Sequence, residues 1–141
     1  MSRSDLVAKF EAKLRKVVSE TMQDFEDETN NVMDEKLENV VYSYTNISER
    51  SLLARRRENG GLKDKSNRDV EIKDNGRNMV FTMYNRTESA CKDCDDIITG
   101  IVENGYRHIP SRPFMEETQE EMNRKAKEIV KKNLVKNGFK V

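Results

Sequence analysis

Arg68-Asp-Val-Glu-Ile-Lys-Asp-Asn-Gly-Arg-Asn-Met-Val-Phe-Thr-Met-Tyr-Asn85 is the stretch whose reading decides the fold. Two runs of alternating apolar and polar residues, Arg68 to Lys73 and Asn78 to Asn85, flank Asp-Asn-Gly-Arg, and Asn75-Gly76 is the preferred central pair of a type I′ turn. A two-residue turn there predicts Lys73 opposite Asn78, Ile72 opposite Met79, Val70 opposite Phe81 and Arg68 opposite Met83. One face then pairs apolar with apolar, while the other, Glu71 with Val80 and Asp69 with Thr82, is half polar. A hairpin at about 68–85 with one apolar face needs a helix to cover it.

Such a helix lies upstream. From about Asp5 to Val41 the apolar residues Leu6, Phe10, Leu14, Val17, Met22, Phe25, Val32, Leu37 and Val40 recur mostly at steps of three to five, with no Gly or Pro between them. Ser4 is the expected N-cap, and Glu28 to Asn31 is where a kink or break would fall. Residues 42–67 read as a polar, extended or irregular arm, broken by Asn59-Gly60-Gly61. Downstream, Ile97, Ile98, Ile101 and Val102 predict a short helix between Asp95 and Asn104, stopped by Gly105. A last helix opens after Pro113, acidic at Glu116 and Glu117 and basic at Lys131, Lys132 and Lys136, and stops at Gly138. The expected class is α+β, a single domain over 1–141 with the two long helices packed on a small antiparallel sheet.

Composition narrows the function. At 141 residues the chain is one domain long, yet hydrophobic residues supply only 35% and charged residues 37%, with no Trp. Mean hydropathy is −0.91. That thin apolar supply predicts elongated solvated helices or burial by assembly. The 26 basic and 26 acidic residues cancel, leaving no global field toward nucleic acid or membrane. Neither a signal-peptide core nor a membrane-length apolar run is present, so synthesis and initial use in the cytoplasm are expected.

Candidate chemistry is sparse. Cys91 and Cys94 form a lone C-x-x-C in acidic surroundings, which raise a thiol pKa. Ordinary loop thiols, a metal site completed by another subunit, and a redox pair are the three readings, in falling order. His108 beside Tyr106 lacks a motif-level nucleophile or carboxylate partner, and there is no phosphate-cradling loop. Neither a catalytic site, a cofactor nor a metal is expected. The segment Ile101 to Met115 is a shaped loop: Pro110 and Pro113 stiffen it, Arg112 is held between them, and Phe114 has a fixed place to insert. Phe114 either plugs its own core or contacts another subunit, and Arg112 is either solvated or paired across an interface.

Gly60-Gly61-Leu62-Lys63 resembles the Gly-x-Leu-Arg/Lys motif of a family of tailed-phage neck proteins, the head-to-tail joining or tail-completion proteins also found in prophages. Arg55-Arg56-Arg57 before it and Asn67 after it are similar to a subgroup from phages of Gram-positive hosts. Glu103-Asn104-Gly105 and Pro110-Ser111-Arg112-Pro113-Phe114 resemble the family's second motif, a Glu-x-Gly coupled to Pro-x-Arg-Pro-Phe. The order of elements covers nearly the whole chain; Asn59 and Lys65 depart from the common Thr and Ser.

What the resemblance implies is a non-enzymatic virion protein that forms a ring, commonly sixfold, between tail tube protein and head connector. It is assembled in the host cytoplasm and carried into the virion. Candidate contact residues are Arg55, Arg56, Arg57, Leu62, Arg112 and Phe114, and Phe114→Ala or Arg112→Glu is expected to impair assembly more than folding. The alternative is a nucleic-acid-binding module using Arg50, Arg55, Arg56 and Arg57, with genome DNA in passive contact. Glu49, Glu58 and the zero net charge oppose it.

Overall fold

The computed structural model describes residues 2–42, 57–75, 78–88, 98–104 and 111–141. The fold is α+β, as the hairpin and the two periodic stretches predict. Helix α1 spans Arg3–Lys36 without a break at Glu28 to Asn31, a length of about 50 Å. Its N-cap is Ser2 rather than Ser4: the Ser2 hydroxyl accepts from the Asp5 N–H while the Asp5 carboxylate accepts from the Ser2 N–H. Starting two residues earlier places an acid at the third helical position, and two otherwise unbonded donors are satisfied reciprocally. The Ser2 hydroxyl also donates to the Asp5 carboxylate at 2.7 Å, and this bond, ahead of the one from the Ser2 N–H, holds the Asp5 carboxyl below its ordinary range.

The irregularity falls instead at the far end, where Leu37–Tyr42 continues as a π-helix. The wider turn brings Leu37, Val41 and Tyr42 together into the core. A 3-10 turn, Lys65–Asn67, leads into strand β1 (Arg68–Asp74), which pairs antiparallel with β2 (Met79–Asn85).

The register differs from the expected one by two residues. Val70 faces Met83, Ile72 faces Phe81 and Arg68 faces Asn85, and the Asn75 N–H donates to the Asn78 carbonyl at 3.2 Å. The reason is local. The Asn75 side chain accepts from the Asn78 N–H at 2.7 Å, so Asn75 closes the turn from its flank instead of occupying its centre. Because the displacement is even, every side chain keeps its predicted face.

That face packs on α1 only at its base. Met83 and Asn85 are buried and Phe81 meets Phe25 edge-on at 5.9 Å, whereas Ile72 near the tip remains 46% exposed.

Helix α2 spans Ile98–Asn104 and helix α3 spans Phe114–Lys136. α3 runs antiparallel to α1. Lys36 pairs with Glu121 at 2.9 Å, Glu28 with Lys125 at 2.8 Å, and Asp24 and Glu20 accept from Asn133 and Asn137. The predicted stop at Gly138 is a Schellman motif: Gly138 has φ +87°, its N–H donates to Val135 and the Phe139 N–H to Leu134. Met33, Leu37, Val41, Tyr42, Leu62, Met83, Val102 and Phe114 form the core where α1, the hairpin and the start of α3 meet.

Candidate subunit-contact site

Two sequence motifs converge on that core. In the first, Gly60 adopts φ +84°, a conformation costly for any residue with a Cβ. Its N–H donates to the Asp64 carboxylate at 2.6 Å, and the same carboxylate caps the following 3-10 turn through the Ser66 N–H and hydroxyl. These bonds, the Ser66 hydroxyl first, keep the Asp64 carboxyl below its usual range. The turn drives Leu62 fully into the core.

Two of the turn's backbone carbonyls are answered by side chains. The Gly61 oxygen accepts from Asn67 and Thr87, and the Leu62 oxygen from Asn85 at 2.9 Å and Arg68 at 3.3 Å. Arg68 in turn reaches Asn30 at 2.8 Å and forms an ion pair with Asp34. Sequence reasoning read Arg68 only as a strand residue. The signal available was a long cation on the apolar face of a strand, which demands a buried acceptor.

The rim of this turn is charged. Lys63 donates to Glu38 at 2.9 Å and lies 3.4 Å from Glu58; Arg57 pairs with Glu38 at 3.3 Å and stacks over the Tyr42 ring at 4.7 Å. The Lys63 ammonium is raised above its ordinary pKa, chiefly by Glu38. Burial pushes the Tyr42 phenol up to about 12, only partly opposed by the Arg57 charge.

In the second motif, Glu103 on α2 holds the start of α3. One carboxylate oxygen accepts from the Met115 N–H at 2.8 Å and the other from the Glu116 N–H at 2.9 Å. Pro113 at the N-cap supplies no side-chain bond of its own. Glu103 therefore caps the helix from another element, with its charge at the positive end of the dipole. Arg112 and Ser111 fasten the approach, through the Arg112 N–H to the Val102 carbonyl at 2.8 Å and the Ser111 hydroxyl to the Glu103 carbonyl at 2.6 Å. The cap aims Phe114 into the core, where it is fully buried.

A family model described as YomN matches residues 5–137. The chain belongs to the YomN family. That family is of phage or prophage type, so the chain is a phage-related protein. No curated protein and no solved structure matches it. The match runs from the first turn of α1 to Asn137, the residue that follows α3, so helix pair, hairpin and capped loop fall within the family's span.

The expected contact residues separate accordingly. Leu62 and Phe114 expose nothing, and a side chain without exposure offers no surface to another subunit, so the contact expectation does not extend to them in this conformation. Arg57 and Arg112 are partly exposed. Arg50, Arg55, Arg56, Cys91, Cys94, Tyr106 and His108 lie outside the described residues. Among the described residues no cluster of acids, His and Cys is placed to hold a metal, and no helix is long and apolar enough to cross a membrane.

Proposed function

We propose that this YomN-family chain is a non-enzymatic structural subunit of the phage neck or tail end, which assembles into a ring, hexameric by the resemblance, between the tail tube and the head connector. The observation that carries this reading is the Glu103 cap. The Glu-x-Gly and Pro-x-Arg-Pro-Phe elements of the neck-protein motif are coupled here by two hydrogen bonds that Glu103 accepts from the first turn of the helix that begins at Phe114. A physical coupling of that kind explains why the two halves occur together, and it favours likeness of architecture over chance likeness of letters. The phage-type family supports the same reading. Assembly takes place in the host cytoplasm and the product resides in the virion.

Arg57, engaged by Glu38 and Tyr42, is poorly disposed to phosphate, which weakens the nucleic-acid alternative. The test is the mass of the purified protein by light scattering, with and without purified tail tubes. Rings, or monomers that cap tubes, are expected. A protein that ignores tubes and instead binds DNA with a steep salt dependence would replace this reading with the alternative.

A further inference from the structure

Helix α1 outruns its partner. Glu20 is met by Asn137 at the end of α3, so residues 3–16 continue as about four further turns. The tail reaches back along their inner half as far as Phe10, with Phe139 edge-on to one side of the Phe10 ring at 5.8 Å. Leu6 is 57%, Val7 50% and Phe10 54% exposed, and Leu14 lies one turn further along the same stripe. Arg3, Lys9, Lys13, Arg15 and Lys16 flank that stripe against only Asp5 and Glu11. A helix this apolar on one face gains little from standing alone in water.

The other end of the molecule carries the complement. Between α1, β2 and α3 lies an open groove of about 460 Å³, whose apolar lining is Met33, Val80, Phe81, Met83, Met115 and Met122. Methionine linings adapt to an inserted side chain. Glu116 lies on the rim, with Glu120 one turn further along α3 and Glu26 one turn before Thr29 on α1. The zero net charge of the chain thus conceals a basic apolar projection at one end and an acid-rimmed apolar recess at the other.

We propose that the α1 overhang of one copy docks in the methionine-lined groove of a second copy, with Phe10 and Leu6 entering the groove and Lys9 and Lys13 facing Glu116 and Glu120. A basic amphipathic helix also suits an anionic lipid surface, but only the second-copy reading uses the acidic groove. The contact is helix-in-groove and heterologous, so it repeats from copy to copy and closes into a ring or extends as a filament. It deepens the assembly reading above and rests on it for the association of copies; the projection and the recess are its own evidence.

The test is a concentration series by light scattering on wild type, Phe10→Glu, Met122→Lys and Glu116→Lys, each checked for native helicity by circular dichroism. Wild type is expected to rise above the 16.5 kDa of one chain, and each variant alone to associate far less. A mixture of Phe10→Glu with either groove variant is expected to stop at pairs, because one intact groove and one intact overhang remain. If Phe10→Glu associates as wild type does, or the mixtures stay monomeric, this surface is wrong while assembly by another surface stands. A wild type monomeric up to its solubility limit overturns docking between free copies, and the ring reading then rests on whether the monomers cap tail tubes. Binding to anionic vesicles, without self-association and lost in Phe10→Glu, gives the face to lipid instead.

Discussion

Glu103 acts on the next element, 12 and 13 residues away in sequence, and nothing in its immediate neighbours says so. Removing its carboxylate leaves the Met115 and Glu116 N–H groups without their acceptor, so Glu103→Ala is expected to lower stability by about 1–2 kcal/mol, read from the urea midpoint. Phe114 shows how burial redirects an expectation drawn from sequence. With a fully buried ring, Phe114→Ala should cost about 3–5 kcal/mol and impair folding, whereas Arg112→Glu, at a partly exposed position, should leave the urea midpoint nearly unchanged and act on assembly. A normal urea midpoint for Phe114→Ala would contradict the packing described.

Tyr42 makes a prediction about alkaline pH. Its phenol is raised from 10.0 to about 12 by burial. A raised folded value means that the contribution is fully present below pH 10 and is lost as pH climbs toward 12, at about 1.4 kcal/mol per pH unit. Ultraviolet titration should show a late phenol ionisation that disappears in Tyr42→Phe.

Among the elements, helix ends were legible where the chemistry is local. Gly138 announces the end of α3, and its φ of +87° with the two Schellman bonds accounts for the choice. Gly138→Ala should therefore destabilise by about 1 kcal/mol, measurable as a lowered Tm, despite the absence of crowding, the nearest atom to an added Cβ being the Lys13 Nζ at 4.0 Å. The start of α1 was legible only approximately, because Ser2 and Ser4 are both competent caps and the third-position acid decides between them. In the hairpin, the alternation identified the faces correctly but not the partners, which lie two residues further along β2. The register escaped it because the Asn75 side chain bonds to Asn78, a competition with the Asn-Gly turn rule that a propensity cannot weigh.

At the scale of the whole molecule, segregation of charge matters more than its sum. Debye screening shortens from about 10 Å at 0.1 M salt to about 3 Å at 1 M. If Lys9 and Lys13 face Glu116 and Glu120 across copies, the mass average at fixed concentration should fall on raising salt over that range. Association that strengthens with salt would mean that apolar burial alone drives it and that the charges contribute no orientation.

Periodicity, turn residues and capping chemistry are properties of neighbours in the chain, and they sufficed for two long helices, a hairpin with one apolar face, the short helix before the proline loop and the α+β class. The tertiary structure alone decided what those pieces do to one another. It decided that Arg68 crosses to Asp34 and the Leu62 carbonyl, that Glu103 caps α3, that Leu62 and Phe114 belong to the interior, and that α1 projects past its partner. Each depends on a distance between residues far apart in sequence. A buried donor or an exposed apolar face acquires its energetic meaning only when the groups around it are known.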